Sequence, residues 1–213
     1  YIYMAIRRPM KTPEVGTEGY TTITRAGNNV TTQIPTGFTV DMFLSSTRNQ
    51  TWYHATVWDR LRGKQKFLKT YSTQPETGNT NQFTSFDNDG ITVGPDGSGW
   101  MNNSGANYVY NLFKRATGFF DVVAYTGNGV AGRTVAHSLG VVPEMIWFKV
   151  RSNTRNWGVY HKGIGNTNYV EINTTLASTD GLLVNDTTPT ESVFTLGATS
   201  SSNWGSNTFI AYL

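Results

Sequence analysis

The chain repeats itself, and that constrains its fold more than any other feature. Tyr-Ile-Tyr-Met-Ala-Ile-Arg-Arg at 1–8 resembles Tyr-Val-Tyr-Asn-Leu-Phe-Lys-Arg at 108–115, and Thr-Phe-Ile-Ala-Tyr-Leu at 208–213 resembles the start of the same run. The lead-in residues 103–107 match 203–207. Residues 37–42 (Gly-Phe-Thr-Val-Asp-Met) match 140–145 (Gly-Val-Val-Pro-Glu-Met), each opening on Gly and ending on an acidic residue and Met. Trp52, Tyr53 and His54 match Trp157, Tyr160 and His161, and residues 89–93 match 180–184. The period is roughly 100 residues, far above the 20–50 of solenoids and propellers, so each copy is domain-sized. This divides the chain into a closing strand of a preceding or paired copy (1–8), a first β unit (9–117) and a second (118–213). A chain starting at Tyr1 without Met reads as a fragment or a processed product.

Within each copy the pattern is that of strands. Alternating or apolar runs recur at 39–44, 52–61, 66–71, 90–93, 107–113, 119–125, 144–150, 157–161, 169–172, 181–184, 192–196 and 208–213. Asp-Gly at 89–90 and 180–181, Gly-Asn-Gly at 127–129 and Pro-Asp-Gly at 95–97 punctuate them as turns. No window sustains a 3.6-residue period. The expected class is all-β, with antiparallel β-sandwich units. Either each repeat forms a small sandwich, or the two copies face each other in one pseudo-symmetric sandwich.

Composition narrows the chemistry. Charged residues make up 15% of the chain, against about 25% in an ordinary domain. The absence of cysteine excludes disulfides, thiolate metal sites and cysteine catalysis. No apolar run is long enough for a transmembrane helix, so no membrane insertion is expected. Arg60, Arg62, Lys64 and Lys66 would share one face of a strand, as a solvated edge or as a seat for a polyanionic glycan. Nucleic acid would need a broader basic patch with interleaved aromatics.

Catalytic and metal signatures are weak. Residues 87–90, Asp-Asn-Asp-Gly, open like a calcium loop but lack its further ligands, so a turn is expected and no metal. Gly97-Ser98-Gly99 lacks the strand-to-helix setting of a nucleophile elbow. We expect no enzyme and no cofactor. A depolymerase would need two facing carboxylates, which sequence spacing does not reveal.

The aromatics carry the strongest ligand signal. Rings beside amides and hydroxyls make a sugar platform, and such rings also populate protein interfaces. Trp100 and Trp204, with Asn102 and Asn203, are therefore the candidate ligand groups. Trp52, His54, Trp157, Tyr160 and His161 recur in the repeat and are expected to be structural.

Three stretches carry a family resemblance. Residues 118–129 (Gly-Phe-Phe-Asp-Val-Val-Ala-Tyr-Thr-Gly-Asn-Gly), 137–145 (His-Ser-Leu-Gly-Val-Val-Pro-Glu-Met) and 157–161 (Trp-Gly-Val-Tyr-His) resemble an uncharacterised β-rich repeat domain of tailed-phage tail-fibre and virion appendage proteins. Residues 1–70 resemble it more loosely, with Val40 where the later copy has Pro143. The resemblance implies a virion location, as an extracellular particle made in the host cytoplasm. It implies self-association, as a homotrimer, or contact with other virion proteins, and a host-surface glycan or receptor as partner. A purely structural role, as spacer, capsid decoration or filament subunit, is the alternative. The family's motifs carry no assigned chemistry.

Overall fold

The computed structural model describes residues 12–51, 55–78 and 81–213. Period-two alternation sorts the side chains of the strands inside the large sheets between two cores. In β9 (Asn107–Phe113), Tyr108, Tyr110 and Leu112 turn to one side and are fully buried. Val109, Asn111 and Phe113 turn to the other, as strand geometry requires. In β17 (Thr208–Tyr212) all of residues 209–212 are buried, so that strand is covered on both faces.

Among its described residues, the first half of the chain forms nine strands. They are β1 (Tyr20–Ala26), β2 (Thr32–Ile34), β3 (Met42–Thr47), β4 (Thr56–Asp59), β5 (Lys66–Lys69), β6 (Thr77–Gly78), β7 (Phe83–Asp87), β8 (Gly90–Val93) and β9. Six of them build an antiparallel sheet in the order β1-β9-β3-β4-β5-β6, and β2-β8-β7 build a small second sheet. The second half supplies β10 (Val122–Thr126), β11 (Arg133–Ala136), β12 (Met145–Val150), β13 (Gly158–His161), β14 (Gly165–Glu171), β15 (Thr179–Asp180), β16 (Val193–Leu196) and β17. These pair as β10-β17-β12-β13-β14-β15 and β11-β16. The all-β antiparallel class is thus present. In chain order the two six-stranded sheets have the same connectivity: first strand at the edge, last strand beside it, then third, fourth, fifth and sixth.

Among the described residues, three apolar clusters stack the sheets into four layers. Ile34, Ile91 and Val93 of the small sheet pack on Phe43, Trp58 and Tyr110 of the first large sheet. Val135, Phe194 and Leu196 pack on Ile146, Phe148 and Ala211 of the second. Between the large sheets lie Met42, Val57 and Leu68 from one side and Val122, Ile210 and Tyr212 from the other. Each half is therefore a two-sheet sandwich, and the halves are fused through the remaining faces of their large sheets.

Several sequence expectations change here. Residues 181–184 form no strand; the chain turns through Asn185 and Asp186, both at positive φ, while Leu183 and Val184 still bury their side chains. The strand that pairs with β11, as β8 pairs with β2, is β16. The register also moves the repeat match. Met42 faces Asp59 where Met145 faces His161, so Trp58 holds the register position of Tyr160, while Tyr53 lies outside the described residues. Trp52 and His54, and residues 1–8, lie outside the described residues.

The expected basic stripe does not form. Residues 60–65 are a turn between β4 and β5, not a strand. Arg62 points inward with a fully buried side chain, while Arg60 lies over the Phe86 ring and donates to the carbonyl oxygens of Val40 and Asp87.

Candidate functional site

The four proposed ligand groups fall into two classes. Asn102 and Asn203 are both 0% exposed and serve the fold. The Asn102 side-chain oxygen accepts from Arg25 Nη1 (2.7 Å) and from the Asn28 amide (3.2 Å). Its nitrogen donates to the carbonyl oxygens of Val30 (2.7 Å) and Gly94 (2.9 Å). Asn203 repeats half of this pattern, accepting from the Asn128 amide and donating to the Val130 carbonyl oxygen, both at 2.9 Å. Each asparagine pins a Gly-Asn turn, at 27–28 and 127–128. Buried polar atoms need partners, and both amides, closed off from solvent, find theirs within the fold at the oxygen and at the nitrogen. Neither side chain is left to bind a sugar.

The two glycines of these turns explain the close approach. A Cβ on Gly27 would sit 2.0 Å from the Asn103 carbonyl oxygen, and one on Gly127 would sit 2.3 Å from that of Trp204. The same device therefore closes the same end of both sandwiches. The equivalence is offset by one from the sequence match, pairing Asn102 rather than Asn103 with Asn203.

Trp100 and Trp204 are only partly buried, and each has a cation over its ring. Lys69 Nζ lies 5.2 Å from the Trp100 ring centre, and the Arg155 guanidinium 5.1 Å from that of Trp204. Trp100 also packs against Phe67. The two rings belong to different halves and do not form one platform.

The remaining residues singled out in sequence pack as follows. Trp157 is fully buried in the central core and donates from Nε1 to the Lys69 carbonyl oxygen (2.9 Å), tying the two halves together. Tyr160 is buried in the second sandwich. His161 is exposed, and its Nδ1 accepts from the Gly163 amide (3.0 Å) to start a short 3-10 turn. Asp87 accepts from the hydroxyls of Ser85 and Thr92, and Asp89 from the Gly37 amide.

Sequence reasoning missed two features, both at the seam between the halves. The first is a buried polar lock. Asp59 and Arg62, both with fully buried side chains, form an ion pair. The Tyr212 hydroxyl, from the other half, donates to Asp59 Oδ2 (2.7 Å) and accepts from Arg62 Nη2 (3.1 Å). Burial holds that hydroxyl protonated well above its usual range, with Arg62 opposing. Arg151 of the second half reaches Glu76 of the first at 2.8 Å. Nearby, buried Lys149 donates from Nζ to the carbonyl oxygens of Thr73, Val150 and Arg155 at 3.0–3.2 Å, and burial lowers its pKa to about 8.

The second feature is an open apolar groove. Where the two large sheets part, Met42, Leu44 and Phe113 form one wall, and Met145, Trp147 and Tyr212 the other. Phe119 and Phe120 of the linker join the walls, and Leu139, Val141 and Val142 form a lip. The space is about 440 Å³. Val141, Val142 and Met145 are exposed at 42%, 46% and 41%, an unusual concentration for one short segment. Glu144 stands at the rim, ion-paired to exposed Lys162, which keeps its carboxyl below the usual range. The apolar run at 139–145 was visible in the sequence. Its partner walls come from β3, β9, β12 and β17, which only folding brings together.

Residues 16–213 match the model of a family described as a domain of unknown function, DUF7483. The chain belongs to that family. The single match runs through both halves, so the family unit includes both sandwiches and the seam between them. No curated protein and no solved structure matches the chain. Among the described residues no helix is long and apolar enough to cross a membrane, and no group of three or more His, Cys, Asp or Glu side chains could hold a metal ion.

Proposed function

We propose that this chain is a non-enzymatic structural module of a phage virion appendage, built to pack against protein rather than to grip sugar. The observation that carries the reading is the groove: the candidate amides Asn102 and Asn203 are spent inside the fold, while an apolar trough stands open at its seam. Apolar grooves with a polar rim are protein contact surfaces. The virion setting rests on the tail-fibre resemblance of residues 118–161, and it carries with it self-association or contact with other virion proteins in an extracellular particle. Mass spectrometry and immunogold labelling of purified particles test the setting. The chain is expected on the appendage; its absence from intact particles would sink the reading.

Adhesion is the second reading, and one feature favours it. A cleft of about 440 Å³ in the first half is lined by Asn29, Lys64, Asn81, Phe83 and Thr84, a mixture of amide, hydroxyl, cation and ring suited to an acidic glycan. Binding of the isolated chain to host cells, lost in Lys64→Ala, would favour this role. Equal binding by wild type and Lys64→Ala would remove the cleft from consideration.

A further inference from the structure

We infer that His137 is an acid-sensitive catch on the lip of the groove: its neutral ring holds residues 138–142 in place, and a proton on that ring releases them. The lip has no strand or helix of its own. Its first two amides are held by side chains instead. The Ser138 amide donates to Asp121 Oδ2 (2.6 Å), and the Leu139 amide donates to His137 Nδ1 (3.2 Å). The Leu139 carbonyl oxygen accepts from the Gly118 amide (2.6 Å), which joins the lip to the linker between the halves. Beyond it Gly140 turns at a positive φ, and Val141 and Val142 stand exposed.

The neighbours of the ring set it in one protonation state. It is buried and stacks on Phe194 of β16, with ring centres 6.2 Å apart. Nε2 lies 3.2 Å from the Thr190 carbonyl oxygen, which only accepts, so Nε2 carries the hydrogen. Nδ1 is then the bare nitrogen, as its bond from the Leu139 amide requires. A second proton has only Nδ1 to bind. There it turns the acceptor into a donor facing another donor, and the Leu139 amide loses its partner.

The charges around the ring fix the direction of the effect. Asp121, from the linker, favours the imidazolium, but its oxygens already serve Arg115 and the amides of Val122 and Ser138. Glu191, beside Thr190, is exposed, and Arg133 of β11 lies over Tyr125. Burial outweighs the bond to Thr190 and the charge of Asp121, and holds the ring below the usual imidazole range. An open lip returns the ring to water and to an ordinary pKa of about 6.5. The closed lip therefore binds the proton more weakly than the open one. Closure is fully favoured above about pH 6.5 and is lost as pH falls through the lower value of the closed form. Leu139, Val141 and Val142 line the groove, so acid rearranges one of its walls. The catch concerns the chain alone and does not depend on a virion setting.

Amide hydrogen exchange of the full chain, read residue by residue by NMR and corrected for the intrinsic pH dependence of exchange, tests the catch. Between about pH 7.5 and about pH 5, protection of the Leu139 and Gly118 amides is expected to fall about tenfold, while the Tyr108 and Tyr110 amides of β9 keep theirs. Equal protection at the two pH values would overturn the inference. So would a parallel fall in β9, which marks global unfolding instead. His137→Gln takes no proton in this range, so its protection, whatever its level, should be the same at both pH values; a fall as large as in wild type would refute the role of His137. A further reading needs no variant. The ring nitrogen shifts of His137 at neutral pH should show hydrogen on Nε2 and a bare Nδ1, and the opposite tautomer would sink the catch.

Discussion

Replacing Asn102 with alanine should destabilise the protein more than replacing Asn203, although the two hold corresponding turns. The difference can be worked from the bonds. Asn102 makes four side-chain hydrogen bonds, at 2.7, 3.2, 2.7 and 2.9 Å. Asn203 makes two, both at 2.9 Å. A net hydrogen bond contributes about 1 kcal/mol, and a buried group left without a partner costs about 1–3 kcal/mol. Asn102→Ala is therefore expected to cost about 3–4 kcal/mol and Asn203→Ala about 2 kcal/mol. Against a total stability of about 5–15 kcal/mol, the first is a large loss. Urea unfolding followed by tryptophan fluorescence reads it directly. With a slope of about 2–3 kcal/mol per molar, the Asn102→Ala midpoint should fall by about 1–2 M. A loss below about 0.5 kcal/mol, or a smaller loss than for Asn203→Ala, would refute the assignment of this amide to the turn.

Three further outcomes follow from the same structure. Arg62→Met strands the buried Asp59 carboxylate and should cost about 3–5 kcal/mol, whereas Tyr212→Phe, which removes one donor to it, should cost about 1–2 kcal/mol; calorimetry of both variants checks the ranking. Gly27→Ala and Gly127→Ala force a Cβ onto a carbonyl oxygen and should lower the melting temperature by many degrees, while Gly97→Ala, whose Cβ meets nothing within 4 Å, should leave it unchanged or slightly raised. His137 titrates with a pKa lowered by burial, opposed by its bond to Thr190 and by Asp121; Nδ1 accepts from the Leu139 amide and must be unprotonated to do so. Its folded pKa lies below the unfolded value, so the unfolded chain takes the proton first. The stabilisation is complete above the unfolded pKa of about 6.5 and is lost as pH falls from there through the folded pKa. His137→Gln should flatten that part of the stability–pH curve measured by urea unfolding; an unchanged curve would remove His137 as its cause.

Local pattern carried the fold class because a strand's period of two is written residue by residue. The alternation of Tyr108, Tyr110 and Leu112 with Val109, Asn111 and Phe113 needs no knowledge of what lies on either side. The Gly-Asn-Gly turn at 127–129 was likewise legible, since the positive φ of Gly129 and the tight approach at Gly127 select glycine locally. The segment at 181–184 misled because apolar residues beside Asp-Gly satisfy a strand pattern equally well when they fill a core from a loop. Arg62 misled for a related reason. Its neighbours in sequence are basic, but its burial is set by Asp59 across a turn and by Tyr212, 150 residues away.

The sequence by itself determined that the chain is built of antiparallel strands joined by Gly, Asn and Asp turns, with no thiol chemistry. Those properties depend on residue type and on neighbours a few positions apart. Only the tertiary structure decided that Asn102 and Asn203 are interior braces, that the two large sheets share a core locked by Asp59, Arg62 and Tyr212, and that an apolar groove opens where those sheets part. Burial and partnership depend on which distant strands meet, and that is a property of the packed sheets rather than of any stretch of chain.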